Sequence, residues 1–374
     1  MKVIAYDGQG VLVPQSRAAP RPPGPGEVLV RPTLVGLCFS EKHTLLRPTP
    51  NWSAGLVWGH EFGGRVEQAG AGVAGLSPGD RVAVNPLFRC GDCAMCRAGF
   101  IQRCECGACL GVSRWDGALA ELVVVRDYMC FPISDRVSDL GAASVEALAC
   151  GTRVARESAM RPGSDVVFLG ADDYNLAALQ WARIGGARTR IMADPSALRL
   201  QAAAKVGATQ TIDAGEQDPA AAIRDLLPRG ADVVFVALED YVPAAADYLR
   251  IATEITRVKG QIVIGRIYSP DAWARIDVNT LWHREIQVAH FGAHFSEEPE
   301  RGGRANGDFQ TTLGALETGI LQPELYEPEI ADFWALETTR QMDELYEAIP
   351  AGAVKVLCRV GGSPASDEGA DHGA

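Results

Sequence analysis

Six of the ten cysteines fall between Cys90 and Cys109, and four of them, Cys90, Cys93, Cys96 and Cys104, keep the spacing C-x2-C-x2-C-x7-C. The loop that carries them, GDCAMCRAGF, has two glycines and almost no apolar residue to anchor it. Four thiolates so closely spaced suit a closed tetrahedral zinc site, where metal binding substitutes for a missing core. Cys106 and Cys109, just downstream, read as small core or surface residues rather than ligands.

A second set is dispersed: GLCFSEKH with Cys38 and His43, GHEFGG with His60 and Glu61, and SVEALACG with Glu146. Taken singly, Cys38 or His60 is more often a packed residue than a ligand. Together they offer a thiolate, an imidazole and carboxylates, which is the donor set of a catalytic zinc that keeps one position open for water or substrate.

The chain around these residues has 374 residues, with 35 Lys+Arg against 47 Asp+Glu, a formal net charge of −12. With 47% hydrophobic and 22% charged residues it has the composition of a globular protein, long enough for two domains. An acidic chain with no Lys/Arg-rich run argues against a nucleic-acid partner. No apolar run approaches the roughly 18 residues of a membrane helix, and the start, MKVIAYDGQG, lacks a signal-peptide pattern. A cytoplasmic location is the expectation. Thiols stay reduced there, so clustered cysteines point to metal rather than to disulfides.

The elements that must position these groups change rhythm near residue 150. Before it, VIAY, VLV, EVLVRPTLVG, GRVEQAG, RVAV and ELVVV are short β-rich runs separated by Pro/Gly/Asp turns, which predict an all-β, barrel-like domain. After it, apolar strands alternate with helices. DVVFLG (165–170) precedes a helix over 175–184, RIMAD (190–194) precedes one over 196–206, and QTIDAG precedes one over 219–227. ADVVFVA, a helix over 243–253, GQIVIGR (260–266) and EIQVAHF (285–291) continue the series. Such alternation predicts a doubly wound parallel sheet. Helices over 309–318 and 339–349 and a strand over 354–360 return the chain to the first domain, and the Gly/Ser/Asp-rich tail is expected to fray.

The CxxxxH segment, the GHEFGG box, the four-cysteine lobe and the GVSRWDGALAELVVV stretch, followed by a doubly wound domain, resemble the zinc-dependent medium-chain dehydrogenases over residues 1–360. The resemblance implies an α/β fold with a GroES-like catalytic domain (1–150 and 291–374) and a Rossmann-type dinucleotide-binding domain (151–290). It implies that Cys38 and His60 bind the catalytic zinc, with Glu61 or Glu146 as a further ligand, and a glutamate at 146 resembles the polyol, sugar and threonine dehydrogenase branch. Ser40 then corresponds to the hydroxyl that bonds the substrate alcohol, and His43 to the outer member of a proton relay, whose ordinary pKa suits a shuttle. Glu41 stands where the family usually has an aspartate. The resemblance further implies a small-molecule substrate and a homodimer or homotetramer, with EIQVAHF as a strand that can pair across the dimer axis.

The family's second domain binds NAD on a glycine-rich turn, with pyrophosphate at a helix N-terminus. Here the turn reads Leu169-Gly170-Ala171-Asp172-Asp173-Tyr174-Asn175, and only the first glycine of G-x-G-x-x-G is kept. Gly170, Tyr174 and Asn175 remain candidate cofactor contacts. Asp194, 24 residues after Gly170, suits an adenosine ribose and favours NAD over NADP, and Arg199 could line the adenosine pocket; Asp194 and Ser196 read equally well as a helix cap. Asp172, Asp173, Glu239 and Asp240 gather negative charge where a pyrophosphate would bind. Either NAD binds in an adjusted pose or the scaffold has lost it.

Trp52, Trp58, Trp115, Trp282, His283, Phe291, His294 and Phe295 surround the expected substrate side and weakly favour a ring-bearing or polyol substrate over a very small alcohol, although core packing is the better reading of any single tryptophan. Two reactions follow: hydride transfer between NAD(H) and a secondary alcohol or ketone, or a redox-neutral zinc lyase, dehydratase or cyclase on the same scaffold.

Overall fold

The structure, a computed structural model, describes residues 1–38, 41, 53–238, 247–267, 276–292 and 307–361. Ser40, His43, Trp52, Glu239, Asp240, His294 and Phe295 lie outside the described residues.

The N-terminal half contains β1 (Lys2–Tyr6), β2 (Leu12–Ser16), β3 (Glu27–Leu37), β4 (Glu61–Ala69), β5 (Arg81–Val84), β6 (Leu87–Phe88), β7 (Ala108–Cys109), β8 (Val123–Arg126) and β9 (Cys130–Pro132), with a single-turn helix α1 (Ala94–Arg97) in the cysteine lobe. The 19-residue helix α2 (Asp139–Glu157) follows. Next come β10 (Asp165–Leu169), α3 (Asp173–Ile184), β11 (Thr189–Asp194), α4 (Ala197–Val206), β12 (Gln210–Asp213), α5 (Pro219–Leu226), β13 (Ala231–Leu238), α6 (Tyr248–Ile255), β14 (Thr256–Ile267), α7 (Val278–Arg284) and β15 (Gln287–His290). α8 (Gly307–Glu317), β16 (Glu329–Asp332), α9 (Thr339–Ala348) and β17 (Val356–Arg359) close the chain.

Two sheets result. β10 to β15 form one six-stranded parallel sheet in the order β12-β11-β10-β13-β14-β15. Its strands are nearly continuous Val/Ile/Phe runs because helices cover both faces. The chain reverses direction across the sheet at β10 and β13, and the crevice beyond their carboxyl ends is the ligand-binding position of such sheets. The other sheet runs β16-β17-β3-β4-β5-β9, with β8 also on β3. As expected from the sequence, the closing strand therefore returns to the first half.

The register of this second sheet brings three distant segments together. Gly36 of β3 pairs with Glu61 of β4, and Leu37 pairs with Val356 of β17. Cys38, His60-Glu61 and Lys355 therefore emerge side by side at one end of adjacent strands. Sequence patterning misses α2, whose DLGAASVEALACGTRVARE is built from small residues and lacks a stripe of large apolar ones. That smallness lets α2 pack closely under the sheet: a Cβ on Gly63 of β4 would come within 2.4 Å of the Ala142 Cβ.

Candidate metal centre and cofactor cleft

In the cysteine lobe, Sγ of Cys104 lies 3.5 Å from that of Cys90 and 3.9 Å from that of Cys93, and Cys90 lies 4.0 Å from Cys96. Sulfurs of a tetrahedral zinc site with ordinary Zn–S bonds stand about 3.8 Å apart, so the four are already at ligand spacing. Backbone N–H groups of Asp92 and Cys93 hold the Cys90 thiol down at about 6. Burial pushes Cys96 up to about 12. A zinc ion bound by the four sulfurs would supply the positive charge that four thiolates need.

At the strand ends, the donor atoms of Cys38, His60 and Glu61, all buried, lie within 4.8 Å of one another. Gly59 makes this possible. It takes φ +95°, and a Cβ there would meet Val35 Cγ1 at 2.8 Å and the Leu119 nitrogen at 2.9 Å, so the glycine of the GHE box lets the chain turn His60 inward. Glu41, fully buried, then fixes the imidazole. Its Oε1 accepts from Gly59 N–H at 3.2 Å and faces His60 Nδ1 at 3.1 Å, while Oε2 accepts from Cys38 N–H at 3.2 Å and from the Tyr346 hydroxyl at 2.6 Å. A carboxylate on Nδ1 leaves Nε2 as the metal-facing nitrogen and strengthens it as a donor. Burial opposes a proton on His60, but the Cys38 thiolate and Glu41 outweigh it and hold the imidazole well above its ordinary value.

Neither carboxylate oxygen of Glu61 accepts a hydrogen bond among the described residues, although the Lys355 ammonium pairs ionically with Oε2. Burial raises the Glu61 pKa, Lys355 opposes that rise, and nearby Glu146 adds to it. Glu146, on α2, is buried but does not join the three donors. A buried carboxylate with unbonded lone pairs beside a thiolate and an imidazole is the donor set zinc takes.

The β10–α3 turn is filled by its own side chains. Asp172 caps α3, accepting from Asn175 N–H at 2.8 Å, and its Oδ2 lies 3.3 Å from Arg266 Nη1. Asp173 pairs with Arg266 and, at 2.9 Å, with Lys355 Nζ. Arg266 Nη2 reaches Cys38 Sγ at 3.7 Å, and the guanidinium lies 4.0 Å over the Tyr174 ring. Asn175 donates to the carbonyls of Gly170 and Leu169. Asp194 accepts from Ala171 N–H at 2.7 Å and Ser196 N–H at 2.8 Å, and Arg199 donates to the carbonyls of Ile349 and Ala353. Arg199 thus ties the second domain to the α9–β17 connection and does not present its guanidinium to an adenosine.

Lys355, Arg266 and Tyr346 belong to this centre and were not singled out from sequence. The one available signal was a cation inside an apolar run, Lys355 (with Arg359) in VKVLCRV and Arg266 in GQIVIGR. Among the aromatic candidates, Trp58 is fully buried in the core, stacked on Tyr6 at 5.3 Å, in line with the core-packing reading of a single tryptophan, and Trp115 stacks on Phe88 at 5.3 Å. Core packing explains the first, and neither lies among the three metal donors.

Residues 24–135 match the alcohol dehydrogenase GroES-like domain and residues 175–302 the zinc-binding dehydrogenase domain. A sorbitol dehydrogenase from Halalkalibacterium halodurans is 30% identical over 361 residues, 95% of this chain and 97% of that protein. The chain belongs to the zinc-dependent medium-chain dehydrogenase family. A sorbitol dehydrogenase from Bacillus subtilis is 34% identical over 217 residues, a match spanning 56% of this chain and 60% of that relative. Among solved structures, a zinc-binding dehydrogenase from Sinorhizobium meliloti bound to NADP shares a TM-score of 0.81 at 27% identity, over 96% of this chain and 98% of that one.

Both zinc sites of a medium-chain dehydrogenase fit this member: four sulfurs at ligand spacing in one, and a buried, under-bonded carboxylate with thiolate and imidazole in the other. The pyrophosphate of a nicotinamide dinucleotide does not fit the β10–α3 turn as arranged, because Asp172 and Asp173 occupy the helix N-terminus and its cations. In this family member Glu41→Gln is expected to weaken zinc at Cys38–His60–Glu61 by about 10- to 100-fold, read by chelator competition, with the cysteine-lobe zinc retained.

Proposed function

We propose that the chain is a zinc-dependent oxidoreductase acting on the secondary alcohol or ketone of a cyclic or polyol-like substrate. The observation that carries this reading is the convergence of Cys38, His60 and Glu61, three buried donors of three chemical types. Zinc bound there lowers the pKa of a substrate hydroxyl and polarises a carbonyl. Glu41 keeps His60 aimed and in one tautomer, and Lys355 holds the Glu61 carboxylate in register with the other donors. Ser40 and His43, close to Cys38 in sequence, are the proposed relay for the hydroxyl proton.

The polyol class rests on the names of the two sorbitol dehydrogenase relatives. A nicotinamide dinucleotide as hydride partner is supported by the NADP-bound neighbour, and the carboxylate of Asp194 at the end of β11 favours NAD over NADP. A redox-neutral reaction at the same zinc is favoured by a different observation, the self-filled β10–α3 turn. No described helix is long and apolar enough to cross a membrane, and a cytoplasmic location belongs to the proposal.

A homodimer or homotetramer belongs to it as well. β15 is an edge strand with mostly exposed residues, and Trp282 beside it on α7 is 75% exposed. Light scattering should give two or four times the 39.9 kDa chain mass, and a monomer at working concentration would contradict this.

Zinc-loaded protein offered a panel of polyols and cyclitols with NAD or NADP should form reduced nicotinamide in step with product, and Cys38→Ser should abolish this. Product formed without any change in nicotinamide absorbance would instead establish the redox-neutral reaction.

A further inference from the structure

We propose that Asp172 and Asp173 are an internal stand-in for a cofactor's pyrophosphate, and that they set how weakly this chain binds a dinucleotide. The inference rests on the reading that a nicotinamide dinucleotide is the hydride partner.

A doubly wound sheet holds a diphosphate with backbone N–H groups at the N-terminus of the helix after its first strand, and gains from nearby cations. Each of those ingredients is present here and already engaged. The helix N–H of Asn175 goes to Asp172 Oδ1 at 2.8 Å. Arg266 is shared by both aspartates, and Lys355 is bound by Asp173 at 2.9 Å. Two carboxylates carry the two negative charges that a pyrophosphate diester would bring, and they face two cations. All four side chains are buried, none more than 6% exposed.

The match extends toward the metal. Arg266 stands 4.0 Å over the Tyr174 ring and reaches Cys38 Sγ at 3.7 Å, so a cation stands next to a proposed zinc ligand while its counter-anions sit at the helix N-terminus. An entering dinucleotide must take Arg266 and Lys355 from Asp173, and it then meets two carboxylates in a poorly screened site. A ligand without a diphosphate avoids both costs.

The test compares zinc-loaded wild type with Asp172→Gly/Asp173→Ala and Asp172→Asn/Asp173→Asn. Each is titrated by calorimetry with NAD, NADP and inorganic pyrophosphate, and zinc content and thermal midpoint report the fold. The Asn pair preserves side-chain size and capping oxygens, so it carries the comparison if the Gly/Ala pair does not fold. Both variants should bind pyrophosphate and NAD at least about tenfold more tightly than wild type, equivalent to one 1.4 kcal/mol step. Wild type binding pyrophosphate as tightly as the folded variants, or variants that gain nothing, would overturn the stand-in. A gain for pyrophosphate with no dinucleotide binding by any form would uphold the stand-in and sink the nicotinamide reading.

Discussion

Buried charge at the seam between the two sheets is the constraint on which the rest of the structure depends. Glu61, Asp172 and Asp173 face Arg266 and Lys355, and Glu41 holds His60 and the Cys38 N–H beside them, all of them buried. With Glu146 also near Glu61, the buried carboxylates outnumber these two cations. Uncompensated charge in such surroundings costs several kcal/mol per ion, so a divalent cation held by Cys38, His60 and Glu61 would also relieve this excess. Burial lowers the His60 pKa, but Cys38 and Glu41 outweigh it and raise it well above the ordinary value, another sign of the negative surroundings. Lys355 is likewise kept charged: burial opposes it, and Asp173 and Glu61 prevail.

The strand register makes this concentration possible. β17, β3 and β4 meet at one end, so residues 38 and 60–61 come beside residue 355, which lies hundreds of residues further along the chain. The parallel sheet brings the second half of the charge set, with Asp172 and Asp173 opening α3 and Arg266 near the end of β14. Arg199 then ties the α4 side of that sheet to the connection before β17. Metal donors and cofactor turn are thereby linked by one ion-pair chain, from Glu61 through Lys355 and Asp173 to Arg266 and Cys38.

Much of this was legible in the residues. The four-cysteine spacing, the glycines flanking His60 and the switch from short β runs to strand–helix alternation identify the lobe, the metal box and the two-sheet organisation, because each depends on local spacing. What was not legible depends on register and burial. Lys355 and Arg266 look like ordinary cations in apolar strands until pairing places them opposite carboxylates. Glu61 and Glu146 stood as equals until the Gly36–Glu61 pairing put the first beside Cys38. Helix α2 hides because small residues, chosen for close packing, carry little periodic signal. Core packing is the better reading of any single tryptophan, and Trp58 is buried against Tyr6.

The central claim, that Cys38, His60 and Glu61 form a zinc site separate from the cysteine lobe, is tested most directly by metal analysis combined with X-ray absorption at the zinc edge on wild type and Cys38→Ser. The account predicts two zinc ions per wild-type chain, one with four sulfur ligands and one with mixed sulfur, nitrogen and oxygen ligands, and a single all-sulfur zinc in the variant. A wild type with only one zinc, bound solely by sulfur, or an unchanged metal spectrum in the variant, would contradict it.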